Sequence, residues 1–115
     1  MRSETLQKTE EYSASKSTHP RVSLGDMEGK IAREEYFTGA DVLTQQIGRD
    51  GSPDPTATLT FCLLVMRNGF VVVGKSAPAS PENFDKEKGR RFAYEDAIKQ
   101  LWPLEGYALR ERLSV

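Results

Sequence analysis

The dipeptide Asn68-Gly69, set between the β-prone run Thr56–Arg67 and the valine-rich run Phe70–Ser76, constrains this chain more than any other feature. Asn-Gly tolerates the positive φ angles of a tight two-residue turn, so the two runs predict an antiparallel hairpin. A two-residue loop pairs Val65 with Val72, Leu64 with Val73 and Leu63 with Gly74. One face then carries Cys62, Leu64, Met66, Val71 and Val73; the other carries Leu59, Phe61, Leu63, Val65, Phe70 and Val72. An antiparallel sheet commonly leaves one face to water, and two apolar faces ask for two covers. Helices supply one, and a second subunit is the expected other.

The flanking sequence supplies those helices. Residues 1–20, MRSETLQKTEEYSASKSTHP, hold only Met1, Leu6, Tyr12 and Ala14 as apolar or aromatic anchors, so a flexible polar arm is expected there. Ser23, with Asp26 three residues on, predicts a helix start, and Leu24, Met27 and Ile31 mark its inner stripe as far as Tyr36-Phe37. Asp41–Ile47 reads as a further strand, followed by the turn-rich 48–55. Ser80-Pro81-Glu82 opens a helix whose buried stripe includes Phe84, Phe92, Ile98 and Leu101, and Pro103 is expected to break it before a last short helix. The expectation is a single α+β domain over 21–115: an N-terminal helix, a three-stranded antiparallel sheet and two C-terminal helices broken at a Pro. A length of 115 residues holds one core and not two.

Composition narrows the function classes. Lys+Arg 16 against Asp+Glu 17 gives a net charge of -1, which provides no overall field toward nucleic acid or a membrane surface. One Cys and one His exclude a disulfide framework and any Cys/His metal cluster, so no metal and no cofactor is expected. No apolar run has the length of a membrane span, and the N-terminus lacks a signal-peptide core, so a cytoplasmic protein is expected.

Motifs with catalytic overtones dissolve on inspection. Gly69-Phe70-Val71-Val72-Val73-Gly74-Lys75-Ser76 satisfies the phosphate-loop pattern, but its interior is β-branched and Ala-Pro-Ala-Ser-Pro follows where a helix must open. Cys62 lies in the strand with no His in the ordered region to activate it, and a structural thiol is the reading. The chain is not expected to be an enzyme. Arg90-Arg91 belongs to a basic run interleaved with Glu82, Asp85, Glu87, Glu95 and Asp96, where a salt-bridged surface outweighs an anion site. Asn83 stands at a helix entry, where capping the turn and helping to hold a phosphate both remain open.

Read together, His19-Pro20-Arg21-Val22, Glu34-Glu35-Tyr36-Phe37, Asn68-Gly69-Phe70, Ala79 to Asp85 and Leu101 to Tyr107 resemble a widespread family of small tailed-phage and prophage proteins. It is the family named after gene products of the coliphage N-four and Shigella phage Sf-six types. The resemblance covers about residues 19–113, and residues 38–55 depart from it by their length. Size and element order also resemble phage anti-Thoeris sponge proteins, which bind a cyclic ADP-ribose signal and assemble through dimers. That resemblance implies a phage accessory anti-defence protein, acting in the infected bacterial host, that sequesters a nucleotide-derived immune signal without turnover as a homo-oligomer built from dimers. In such a role Phe70 or Phe84 would stack on adenine, Asn83 would bond a ribose or base, and Arg21, Arg90 and Arg91 would contact pyrophosphate. The alternative is a protein-interaction module that inhibits a host enzyme through the apolar sheet face.

Overall fold

The computed structural model describes residues 2–48 and 54–114; of the expected turn at 48–55, residues 49–53 lie outside the described residues. The architecture is α+β, with one three-stranded antiparallel sheet, a long C-terminal helix across one face and shorter helices around its edge. Its elements are α1 (Glu4–Lys16), α2 (Leu24–Gly29), β1 (Ile31–Thr38), α3 (Gly39–Val42), β2 (Thr60–Met66), β3 (Val71–Ser76) and α4 (Lys86–Leu113). A π-helical turn at Leu43–Ile47 follows α3, and 3-10 turns at Pro55–Thr58 and Pro81–Asn83 precede β2 and α4.

The N-terminal segment expected as a flexible arm is helical. Counting apolar anchors missed the polar ones. Ser3 caps α1 by accepting from Leu6 N at 3.1 Å, Glu4 pairs with Lys8 one turn on, and two ion pairs dock the helix: Arg2 with Glu28, and Arg21 with Glu10. Glu10 also accepts the Leu24 N–H at 3.0 Å, and Leu6 packs against the core.

The helix expected from Ser23 to Phe37 stops at Gly29, and β1 takes over at Ile31. Ser23 caps α2 as expected, accepting from Asp26 N at 3.0 Å. In β1, Glu34, Tyr36 and Thr38 share one face while Arg33, Glu35 and Phe37 share the other, an alternation that charges on both faces disguise in the sequence. Asp41–Ile47, read as a strand, is helical instead, because Thr38 and Asp41 cap one another reciprocally and start α3. The sheet is three-stranded as expected, in the order β1-β2-β3, with a different first strand.

The hairpin forms where Asn-Gly places it, one residue out of the expected register. Leu64 pairs with Val72 and Cys62 with Gly74. The loop has three residues: Gly69 N–H donates to Met66 O at 2.9 Å, Met66 N–H donates to Phe70 O at 2.8 Å, and only Gly69 has positive φ, +89°. This is a type I turn closed by a left-handed glycine, which leaves Asn68 at negative φ and free to accept from Phe70 N at 2.9 Å. The one-residue slip exchanges faces. Val72 and Gly74 join Cys62, Leu64 and Met66 beneath α4, while Val71 and Val73 join Phe61, Leu63 and Val65 on the open side.

The core lies between sheet and α4. Leu24, Met27, Cys62, Leu64, Met66, Val72, Ala93, Tyr94, Ala97, Ile98 and Leu101 form one cluster. Gly74 brings β3 against α4: a Cβ there would stand 1.9 Å from Ala93 O. One helix runs through Pro103, in place of two broken at it. Its burial ends at Leu101, and Leu104, Tyr107 and Leu113 are exposed. The helix is 28 residues, about 42 Å, against about 24 Å for seven-residue β2, so its last third overhangs the sheet.

Candidate functional site

The overhang makes a groove. Between the hairpin loop and the C-terminal half of α4 lies a cavity of about 480 Å³, lined by Lys30, Met66, Arg67, Asn68, Phe70, Leu101, Leu104, Glu105 and Ala108. Leu101, Leu104, Glu105 and Ala108 follow the spacing of one helix face, so α4 contributes a continuous wall. The opposite wall is the turn. Asn68 fixes the backbone of Phe70, a residue 52% exposed, and Arg67 Nε donates to Gly29 O at 2.8 Å, which anchors the guanidinium at the rim. Lys30 Nζ donates to Glu105 across the groove, so Glu105 is a neutralised carboxylate and Arg67 supplies the excess positive charge. An apolar floor, an exposed ring and cations at the rim suit a ligand that is flat on one part and anionic on another.

A second, smaller cavity of about 110 Å³ lies at the entry to α4, lined by residues that include Thr60, Ser76, Asn83, Phe84, Lys88, Gly89 and Phe92. Thr60 is 1% exposed and its Oγ1 has no hydrogen-bond partner. Ser76 Oγ donates to Gly89 O at 2.8 Å, and Asp85 caps the helix by accepting from Lys88 N at 3.0 Å. The space holds about three waters or a small chemical group, not a nucleotide.

The sequence-derived site residues divide among several places. Phe70 lines the groove; Asn83 and Phe84 line the small cavity. The two regions are about 20 Å apart along α4, counting from Gly89 to Leu104, so one ligand does not bridge them within one subunit. Arg21 is engaged with Glu10 at 2.9 Å, and that hydrogen bond holds the Glu10 carboxyl below its ordinary range. Arg90 stands 5.7 Å from the Tyr36 ring centre, a cation-π contact. Arg91 Nε lies 3.9 Å from Glu95 Oε2, an ion pair too long for a hydrogen bond. Sequence reasoning missed Lys30, Arg67, Leu104, Glu105 and Ala108. The signal for the three helix residues was the spacing of Leu101 to Ala108, which a helix break at Pro103 conceals.

The titratable groups speak to chemistry. Burial pushes the Cys62 thiol up to about 11, so it is un-ionised at neutral pH and a poor nucleophile. Burial likewise raises the Tyr36 and Tyr94 hydroxyls, each hydrogen-bonded to a carboxylate: Tyr36 to Glu34 at 2.7 Å and Tyr94 to Glu28 at 3.4 Å. Among the described residues no cluster of three His, Cys, Asp or Glu could hold a metal ion, and no helix is long and apolar enough to cross a membrane.

No curated protein and no solved structure matches the chain. One family model does, over residues 22–113, which spans everything from α2 to the end of α4 and leaves α1 outside. The chain belongs to the phage protein (N4 Gp49/phage Sf6 gene 66) family.

Proposed function

We propose that this phage protein is a binding factor, not an enzyme, that sequesters a nucleotide-derived host immune signal of the cyclic ADP-ribose or cyclic nucleotide type. The observation that carries the reading is the groove beneath the α4 overhang. Its volume of about 480 Å³ falls in the range of small-molecule sites, and it pairs the exposed face of Phe70 with the anchored guanidinium of Arg67. A base would stack on Phe70 against Leu104 while phosphate oxygens meet Arg67 at the rim. Sequestration needs affinity without a catalytic group, and the un-ionised thiol of Cys62 is buried on the other side of β2 from solvent. Of the residues the resemblance implies, Phe70 lines this groove, while Arg21, Asn83, Phe84, Arg90 and Arg91 lie outside it.

Calorimetric titration with cyclic ADP-ribose isomers and cyclic oligonucleotides tests the reading, with native mass spectrometry of the complex to show whether bound ligand keeps its mass. Phe70→Ala and Arg67→Ala should each weaken binding about tenfold or more with the melting temperature unchanged. Absence of binding across the panel, or a ligand returned altered, would overturn it.

A further inference from the structure

The two walls of the groove are held very differently. The hairpin wall is bonded to the end of α2: Arg67 N donates to Lys30 O at 2.8 Å, Arg67 Nε donates to Gly29 O at 2.8 Å, and the turn closes on itself between Met66 and Phe70. The other wall belongs to α4, which is fixed to the sheet as far as Leu101. Asp96 Oδ2 accepts from Lys75 N at 2.9 Å, Gln100 Nε2 donates to Val73 O at 2.6 Å, and Leu101 is fully packed in the core. Pro103 comes just after Trp102, which packs partly against that core. It has no N–H to give to Lys99 O, and its ring crowds that carbonyl. Gly106 follows within a turn, with open space where a Cβ would stand. Among the described residues, the Lys30–Glu105 pair is the one ion pair or side-chain hydrogen bond that ties the helix beyond Pro103 to the rest of the chain.

We infer that residues 104–113 form a movable jaw, pivoting at Pro103 and latched by Lys30–Glu105, that sets the width of the groove. A proline inside a helix is a recurrent place for a bend because one backbone hydrogen bond is already missing there. A bend of about 20° carried along the roughly 15 Å of helix between Pro103 and Leu113 moves the far end by about 5 Å. Leu104, Glu105 and Ala108 travel with the jaw, while Lys30, Arg67 and Phe70 stay in place. The latch biases the jaw and does not lock it. The Lys30 side chain is 45% exposed, and an ion pair of that kind shifts an equilibrium by about twofold to fivefold.

The pivot also gives the groove a way to respond to what it holds. A ligand touching Phe70 on the fixed wall and Leu104 on the moving one binds the closed position better and draws the jaw shut. That step rests on the groove being a ligand site; the pivot itself does not.

Double electron–electron resonance between spin labels on Asp26→Cys, at an exposed position of α2, and Arg112→Cys, near the exposed end of α4, reads the swing in the ligand-free protein. Cys62 is buried and un-ionised, so it stays unlabelled. Two populations separated by up to about 5 Å are expected. Glu105→Gln and Lys30→Met should each shift their ratio about twofold to fivefold in the same direction, and Pro103→Ala should narrow the distribution to one population. Amide exchange of residues 104–113 separates a swinging helix, whose amides stay protected, from a melted one. A single narrow distance in the parent, a ratio indifferent to loss of the latch, a spread that survives Pro103→Ala, or exchange as fast as in an unfolded segment would each overturn the inference. Titrating the labelled protein with cyclic ADP-ribose isomers should empty the open population. Failure of those ligands to bind counts against the ligand reading alone, because the ligand-free distances judge the pivot by themselves.

Discussion

At the scale of the residue, Gly74 and Gly69 carry the hairpin by different physics. Gly69 supplies a backbone angle that other residues adopt at a cost; Gly74 supplies a missing side chain. A Cβ at 74 would meet Ala93 O at 1.9 Å and Ala97 N at 2.6 Å, both fixed in the helix backbone. Gly74→Ala should therefore force β3 away from α4 and destabilise the protein by about 3 kcal/mol or more, read as a lower urea midpoint. Gly106→Ala, in open space on the overhang, should leave the midpoint unchanged or raise it. An equal response at both positions would mean that helix and strand do not approach this closely. The same two glycines show what sequence conveys. Asn68-Gly69 announced the turn, yet a three-residue loop needs positive φ only at the glycine, and that difference of one residue decided which valines are buried. Phe70, which the resemblance offered as a stacking residue, lines the groove; the place of Lys30 there was not legible, since it depends on the end of α2 meeting the hairpin loop.

At the scale of the element, α4 is the place where a local rule yielded to context. Proline removes one hydrogen-bond donor and crowds the preceding turn, which is why the sequence predicts a break at Pro103. The helix continues because Leu101 is anchored in the core just before it and Glu105 is tied to Lys30 just after. Pro103→Ala should stabilise the overhang by about 1–3 kcal/mol, and amide hydrogen exchange of residues 104–113 is the direct measure. Unchanged exchange there would show that the overhang owes its order to the Lys30–Glu105 tie alone. The strand β1 was hidden for a related reason. Ile31-Ala32-Arg33-Glu34-Glu35-Tyr36 is as helix-compatible as it is strand-compatible, and pairing with β2, a contact between distant positions, decides the matter.

At the scale of the whole molecule, the family match and the helix α1 fall on separate stretches of the chain. The family match starts at residue 22, and α1 precedes it, with no buried residue within its own span. Its attachment rests largely on charge. Hydrogen bonding to Arg21 depresses the Glu10 carboxyl, so Glu10 contributes stability that is complete above the unfolded Glu pKa of about 4.3 and is lost as pH falls through its lower folded value. Acidification through the depressed range of the Glu10 carboxyl should therefore free α1, seen as fast exchange of its amides, while the sheet and α4 remain protected. Glu10→Gln should loosen α1 at neutral pH in the same way. Protection that Glu10→Gln leaves intact would assign the docking to Ser3 and Leu6 packing instead.

The sealing of the sheet edges bears on growth. Gln100 and Asp96 occupy hydrogen-bonding groups on β3, and at the other end of the sheet β1 carries a register shift between Ile31 and Arg33 with charged residues along its length. Neither border offers a template onto which further strands could be laid one after another. Such a chain is guarded against open-ended strand stacking by its own helix at β3 and by charge and an irregular register at β1.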